Sequence, residues 1–312
     1  HGGRDAVHAA ALWTTAIGCT LLLRMAHDRW HFTGYSKAQE ARKARFTRLG
    51  FVEGLTAALP LSVVRRHLLV KDLKVFLRDV SQWSQLLLLL ALVMVYLYNF
   101  RVLDLSRIPY MSGAIKNVYG FVNLGMAGFV MATVTVRFVF PAVSAEGGAF
   151  WIVRSAPISM RDFLWSKFWT GLIPVLVLTE LLTIAANEFL GIDPFIKLVA
   201  AVAVVFMSVA LVGLATGLGA RYPRFAAENA SQVAGSYGGV AFMIVAVLYV
   251  LVMMFLLGWG SSLYLWPQYR RFALEPAQLS QMIVYFAAAG TLSLALGALG
   301  MRTGVRALED MG

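Results

Sequence analysis

"GLIPVLVLTELLTIAANEFLGIDPFIKLVAAVAVVFMSVALVGLATG", residues 171–217, decides the fold. It is two apolar runs joined by the four residues Gly191–Pro194. About 20 apolar residues are enough for a helix to cross the hydrocarbon layer of a bilayer. Neither run alternates apolar and polar residues as a barrel strand would, so each reads as a membrane-spanning helix. The Gly-Ile-Asp-Pro link is short enough to make them an antiparallel hairpin.

The same reading extends along the chain. Runs at 6–25, 84–103, 117–140, 168–190, 195–219, 237–258 and 280–301 qualify or nearly qualify, the first being the weakest because His8, Trp13 and two threonines dilute it. Composition agrees: the 312 residues are 59% hydrophobic and 14% charged, against about 25% charged in a soluble domain. The expected fold is all-α, a polytopic bundle of about seven transmembrane helices. The net charge of +11 does not argue for nucleic acid. Twelve of the 27 Lys and Arg residues lie between Arg24 and Arg78, beside membrane spans, where the positive-inside bias places them. With 26–83 in the cytoplasm, the segments 141–167, 220–236 and 302–312 are also cytoplasmic. Cys19 is the only cysteine, so no intrachain disulfide is possible.

Domain organisation follows. Residues 1–26 form a single span, 27–61 a basic cytoplasmic linker, and 62–312 a six-span unit. Within 62–80, Leu69, Leu73, Phe76 and Val80 share one helical stripe and Lys71, Lys74 and Arg78 the opposite one, as in a helix lying in the membrane interface. The outer stretch 258–280, rich in aromatics, is compatible with a short re-entrant or surface helix.

Several residues invite a functional reading. "HDRWH" at 27–31 places two histidines one helical turn apart, but there is no evident third ligand and the surroundings are basic, so no metal is expected. Glu180 lies near the middle of a span, where a carboxylate is costly unless paired, protonated or hydrated. It is a candidate pathway or gating residue or, alternatively, a structural hydrogen bond, with Asn99 and Asn123 in neighbouring spans as possible partners. Gly213 and Gly217, with Gly297 and Gly300 in the last span, let helix backbones approach closely. No phosphate-binding loop and no nucleophile elbow is present, so catalysis within these residues is not expected.

The cytoplasmic segment 141–167 carries more polar residues than a connection needs. Gly147 and Gly148 permit a turn, "AFWIVRSA" makes a short helix, Pro157 ends it, and Ser159 with Asp162 caps the next helix. Ser144, Glu146, Gly147, Trp151, Arg154, Pro157 and Ser159 resemble the coupling-helix region of ABC exporter permeases, whose pattern runs roughly S-x-E-G-x-x-[FW]-W-x-[LV]-[RK]-x-x-P-[IL]-S. Residues 219–239 resemble a second cytoplasmic loop of that family through Pro223, Phe225, Glu228, Asn229, Gln232, Gly238 and Gly239; Ala230 departs, since a proline often follows that asparagine. "KDLKVFLRDVSQWSQ" (71–85) with "YLYN" (96–99) is similar to the family's entry helix and first span.

The order of elements also resembles a type V permease half. The resemblance implies the transmembrane subunit of an ATP-driven exporter, with 1–26 the end of a preceding half and the chain a piece of a longer protein. It implies a separate cytoplasmic ATPase subunit carrying the ATP and Mg, a second permease half either fused or as a dimer, and a multi-pass location in a prokaryotic plasma membrane. Glu146, Gly147, Trp151, Arg154 and Pro157 would form the docking surface for the ATPase, and Pro223, Glu228 and Asn229 the second loop. Membrane lipid is the other expected partner, and nucleic acid is not. The alternatives are a polytopic enzyme acting on lipid and a non-transporting scaffold for an ATPase.

Overall fold

A computed structural model describes residues 2–40, 63–78, 113–227, 229–270 and 275–311; between 79 and 112 it describes only Trp83, Leu87, Leu90, Ala91, Val93–Val95 and Tyr98. Every extended element among the described residues is helical, and no strand is present among them. Six helical stretches are long and apolar enough to cross a membrane: Ala9–Arg29, Val118–Ser155, Met160–Leu190, Pro194–Arg221, Tyr237–Pro267 and Pro276–Asp310. The expected run at 84–103 lies mostly outside the described residues. Those of its positions that are described are helical, and Val93 packs against Ala127 and Leu182.

Residues 1–50 form one unit and 51–312 another. The first contains helix α1 (Gly2–Glu40), which continues 14 positions beyond the expected end of the span at 26 and takes up the start of the expected linker. Residues 41–61 of that linker lie outside the described residues.

The second unit contains α2 (Val63–Arg78), α3 (Gly113–Phe138), the short α4 (Phe150–Ser155), α5 (Met160–Leu190), α6 (Pro194–Arg221), the short α7 (Ala230–Ala234), α8 (Tyr237–Arg270) and α9 (Pro276–Asp310). The α5–α6 hairpin forms as its sequence requires. Gly191 takes the left-handed conformation (φ 58°) that closes α5, and its N–H donates to the Glu188 carbonyl. Two residues on, the Asp193 carboxylate accepts from the Phe195 N–H at 2.8 Å and Pro194 occupies the first turn of α6. Lys197 then reaches back to Glu188 at 2.8 Å.

Helices in lipid gain little from hiding apolar surface, since the tails are as apolar as leucine. Close packing and interhelical hydrogen bonds must hold them together. The most extensive pair, α6 with α9, meets through glycine. A Cβ on Gly213 would lie 2.8 Å from the Cα and carbonyl oxygen of Gly297. One on Gly217 would overlap the Gly300 carbonyl, and Gly304 abuts Gly217 in return. The small-residue spacing thus serves backbone-to-backbone contact, extended by Gly304, which the sequence reading did not single out. Between α3 and α5, buried Asn123 donates its side-chain amide to the Asn187 oxygen at 2.7 Å. Tyr249 of α8 and Ser293 of α9 pair at 2.7 Å. Asn123 therefore pairs with Asn187 in this contact, not with Glu180.

The outer stretch differs from expectation. Instead of a separate re-entrant helix, residues 258–270 prolong α8, Gly258 and Gly260 included. In a water-free environment, ending a helix leaves backbone groups without partners, so glycine alone does not stop it. Gly260 is used for packing instead: a Cβ there would crowd Tyr285 and Phe286 of α9 at 3.0–3.1 Å.

Candidate functional site

The site lies where α2, the α3–α5 connection and the loop before α7 converge. After Phe138, Pro141 turns the chain into two 3-10 turns, Phe140–Ala142 and Ser144–Ala149. Within the second, Gly147 adopts φ 56°, ψ −143°, a conformation that a side chain would strain. This kink redirects the chain into α4. Ala156 is then extended (ψ 150°), as a residue before proline must be, and ends the helix at Pro157. Ser159 restarts the chain as the cap of α5. Its hydroxyl accepts from the Asp162 N–H at 3.0 Å and donates to the Asp162 carboxylate at 2.9 Å.

Two apolar and polar joints fix this connection. Phe150 is buried, with its ring 4.7 Å from the stacked ring of Phe225 and 5.9 Å from Phe163. The Ser144 hydroxyl accepts from the Arg224 N–H at 3.0 Å. The loop at 222–236 and the turn at 144–150 therefore form one surface.

A four-charge network lies beneath it. Lys167, only 6% exposed on α5, donates to Glu146 at 2.5 Å and to Asp72 of α2 at 2.7 Å. Lys71 of α2 donates to the same Glu146 carboxylate at 2.5 Å and lies 3.5 Å from Asp72. Two ammonium groups and two carboxylates leave the cluster neutral. Removing one buried member would strand its partners in a poorly hydrated place. Residues 72, 146 and 167 are thus bound together across α2, the kinked turn and α5.

The predicted residues fall into separate positions. Glu146 turns inward to the lysines, and its side chain is 11% exposed. Gly147 makes the kink. Trp151 projects outward at 66% exposure, with Ile152 beside it at 53%. Arg154 is exposed and donates to the Met311 carbonyl at 2.7 Å, joining α4 to the final turn of α9. Pro157 is exposed at the end of α4, and Pro223 is half-buried in the facing loop. Asn229 caps α7, accepting from the Gln232 N–H at 3.0 Å. Glu228 lies outside the described residues.

Glu180 does not join them. It is on α5, 13 residues beyond Lys167 and so about 20 Å along the helix axis. It is half-buried, and its Oε2 has no hydrogen-bond partner among the described residues. In the other unit, the His27 and His31 rings stack at 4.3 Å, and no group of three metal-ligating side chains occurs among the described residues.

Sequence reasoning missed Lys71, Asp72 and Lys167 as one cluster. It placed Lys71 with Lys74 and Arg78 on an outward basic stripe, whereas Lys71 turns to the bundle and Leu68 and Val70 are the buried apolar residues of α2. The available signal was a lysine within the aromatic run "WSKFW" and a lone aspartate in a basic helix.

These features define a multi-pass integral membrane protein with a braced, outward-facing turn at one end of its bundle. The family described as "Putative ATP-binding cassette" matches residues 4–312, and the chain belongs to it. That description names a nucleotide-binding module, while the matched residues are the membrane-type helices above and contain no G-x-x-x-x-G-K-[ST] loop. No curated protein and no solved structure matches the chain.

Proposed function

We propose that the chain is the transmembrane subunit of an ATP-driven exporter, working with a second permease half in a prokaryotic plasma membrane. ATP and Mg are held by an ATPase outside these 312 residues. This chain performs no catalysis itself: it receives movement from the ATPase and converts it into rearrangement of its helices.

The observation that carries this reading is the exposed Trp151–Ile152 pair on a short helix whose base is fixed. Exposed apolar side chains on a short helix at the end of a membrane bundle are suited to a partner's groove, and tryptophan is a residue type that concentrates binding energy in interfaces. The fixed base matters equally. The Phe150–Phe225 stack, the Ser144–Arg224 bond and the Glu146 network tie the turn to α2, α5 and the loop before α7, and Arg154 ties it to α9. A push on Trp151 is therefore passed to several helices at once. In this scheme Trp151 touches the ATPase, whereas Glu146, Gly147 and Arg154 hold the docking turn in position.

The test is co-purification with the ATPase subunit and measurement of ATP-driven transport in proteoliposomes. Trp151→Glu is expected to leave the protein inserted and monodisperse while reducing ATPase recovery at least ~10-fold, since such interface anchors contribute about 2 kcal/mol or more. Unchanged recovery and unchanged transport would overturn the reading.

A further inference from the structure

A groove of about 710 Å³ opens between the start of α5 and the second half of α9, with Val209 of α6 also lining it. Its composition is divided. Phe168, Leu294 and Met301 line an apolar wall, and Arg161, Arg302 and Arg306 lie towards the end where α5 begins and α9 finishes. Arg302 and Arg306 are one turn apart on α9, so they share a face. Glu309 is the one carboxylate among the lining residues. Among the described residues, none of the three arginines has an ion-pair or hydrogen-bond partner.

We propose that this groove binds an anionic phospholipid, with the phosphate against the arginines and an acyl chain along Phe168, Leu294 and Met301. A free anion would use the arginines and leave the apolar wall without purpose. A protein partner would require the groove to be remote from lipid, yet it is built from three helices, α5, α6 and α9, that are themselves long and apolar enough to cross the membrane. Basic pockets between transmembrane helices at headgroup level match the charge and shape of anionic lipid, and arginine meets phosphate with paired donors. The excess of positive charge makes the site selective against zwitterionic headgroups. The proposal requires only that α5 and α9 span the bilayer, and so stands or falls separately from the exporter reading.

The full chain, purified in detergent, would be equilibrated with equal amounts of phosphatidylglycerol and phosphatidylcholine, and retained lipid counted by native mass spectrometry. The wild type is expected to retain phosphatidylglycerol preferentially. That preference should fall roughly five-fold for each of Arg161→Gln, Arg302→Gln and Arg306→Gln. Arg221→Gln, an exposed change outside the groove, should leave the preference intact. A triple variant with all three changes should lose the preference; should it misfold, Ala298→Phe fills the groove with its arginines present and is expected to reduce bound lipid. A preference that survives both the triple variant and Ala298→Phe overturns the proposal, as does a wild type without preference. Displacement of the lipid by millimolar inorganic phosphate overturns it in favour of a plain anion site. Occlusion of the arginines only by an added ATPase or permease protein overturns it in favour of a protein interface.

Discussion

Gly217→Ala tests the packing of the bundle at its tightest point. The added methyl would overlap the carbonyl carbon and oxygen of Gly300. That carbonyl belongs to the α9 backbone and also accepts the Thr303 hydroxyl at 2.8 Å, so it cannot swing aside as a side-chain tip could. Relief must come from separating α6 and α9, and rigid helices that part at one point lose contact along their whole crossing. Overpacking a tight core costs about 1–3 kcal/mol, and the backbone obstacle here places the expected loss at or above ~3 kcal/mol. Gly213→Ala meets Gly297 at 2.8 Å, a milder conflict, and should lose about 1–2 kcal/mol. Gly258→Ala is the control: nothing lies within 4 Å of its Cβ, and alanine favours a helix over glycine by up to about 1 kcal/mol. Reversible unfolding of the purified proteins in mixed micelles, followed by helix signal against denaturing detergent, measures all three. The expected order of stability is Gly217→Ala lowest, then Gly213→Ala, with Gly258→Ala at or above wild type. Equal midpoints for Gly217→Ala and Gly258→Ala would refute glycine-mediated contact between α6 and α9.

Two further tests address the polar contacts. Lys167→Met leaves Glu146 and Asp72 with Lys71 alone, and should cost about 3–5 kcal/mol in the same assay. Lys71→Met should cost about 1 kcal/mol or less, because Lys71 is 39% exposed and water screens its charge; equal losses for the two would argue against the buried network. Asn123→Leu strands the Asn187 amide among helices and should cost about 1–3 kcal/mol, whereas Asn123→Leu with Asn187→Leu recovers most of that loss; additive destabilisation in the double variant would contradict the pair.

Much of the bundle was legible because its causes are local. The apolar runs mark spans, "GIDP" supplies a left-handed glycine, a capping aspartate and a first-turn proline, and glycines four apart mark a face that admits another backbone. The elements of the docking turn were readable for the same reason: Pro157 stops α4 and Ser159 caps α5. What escaped was long-range pairing. Nothing local links Asp72 to Lys167, 95 residues away, and periodicity in α2 sorted side chains by polarity without knowing that a carboxylate would stand on the bundle side. Glu146 was consequently read as an outward contact, although its charge is taken up by Lys71 and Lys167. The course of α8 was misread because the aromatic stretch after residue 258 was taken for a separate element, whereas the helix continues without a break to Arg270.

The contact between α6 and α9 also fixes an order of assembly. Gly213 and Gly217 are synthesised some 80 residues before the glycines they meet, and α6 enters the membrane well ahead of α9. During that interval the glycine face of α6 is a bare strip of backbone with no neighbour of matching shape. The arrival of α9 is the closing step, and a ribosome stalled before Gly297 would display the earlier spans with the tightest crossing of the bundle not yet made.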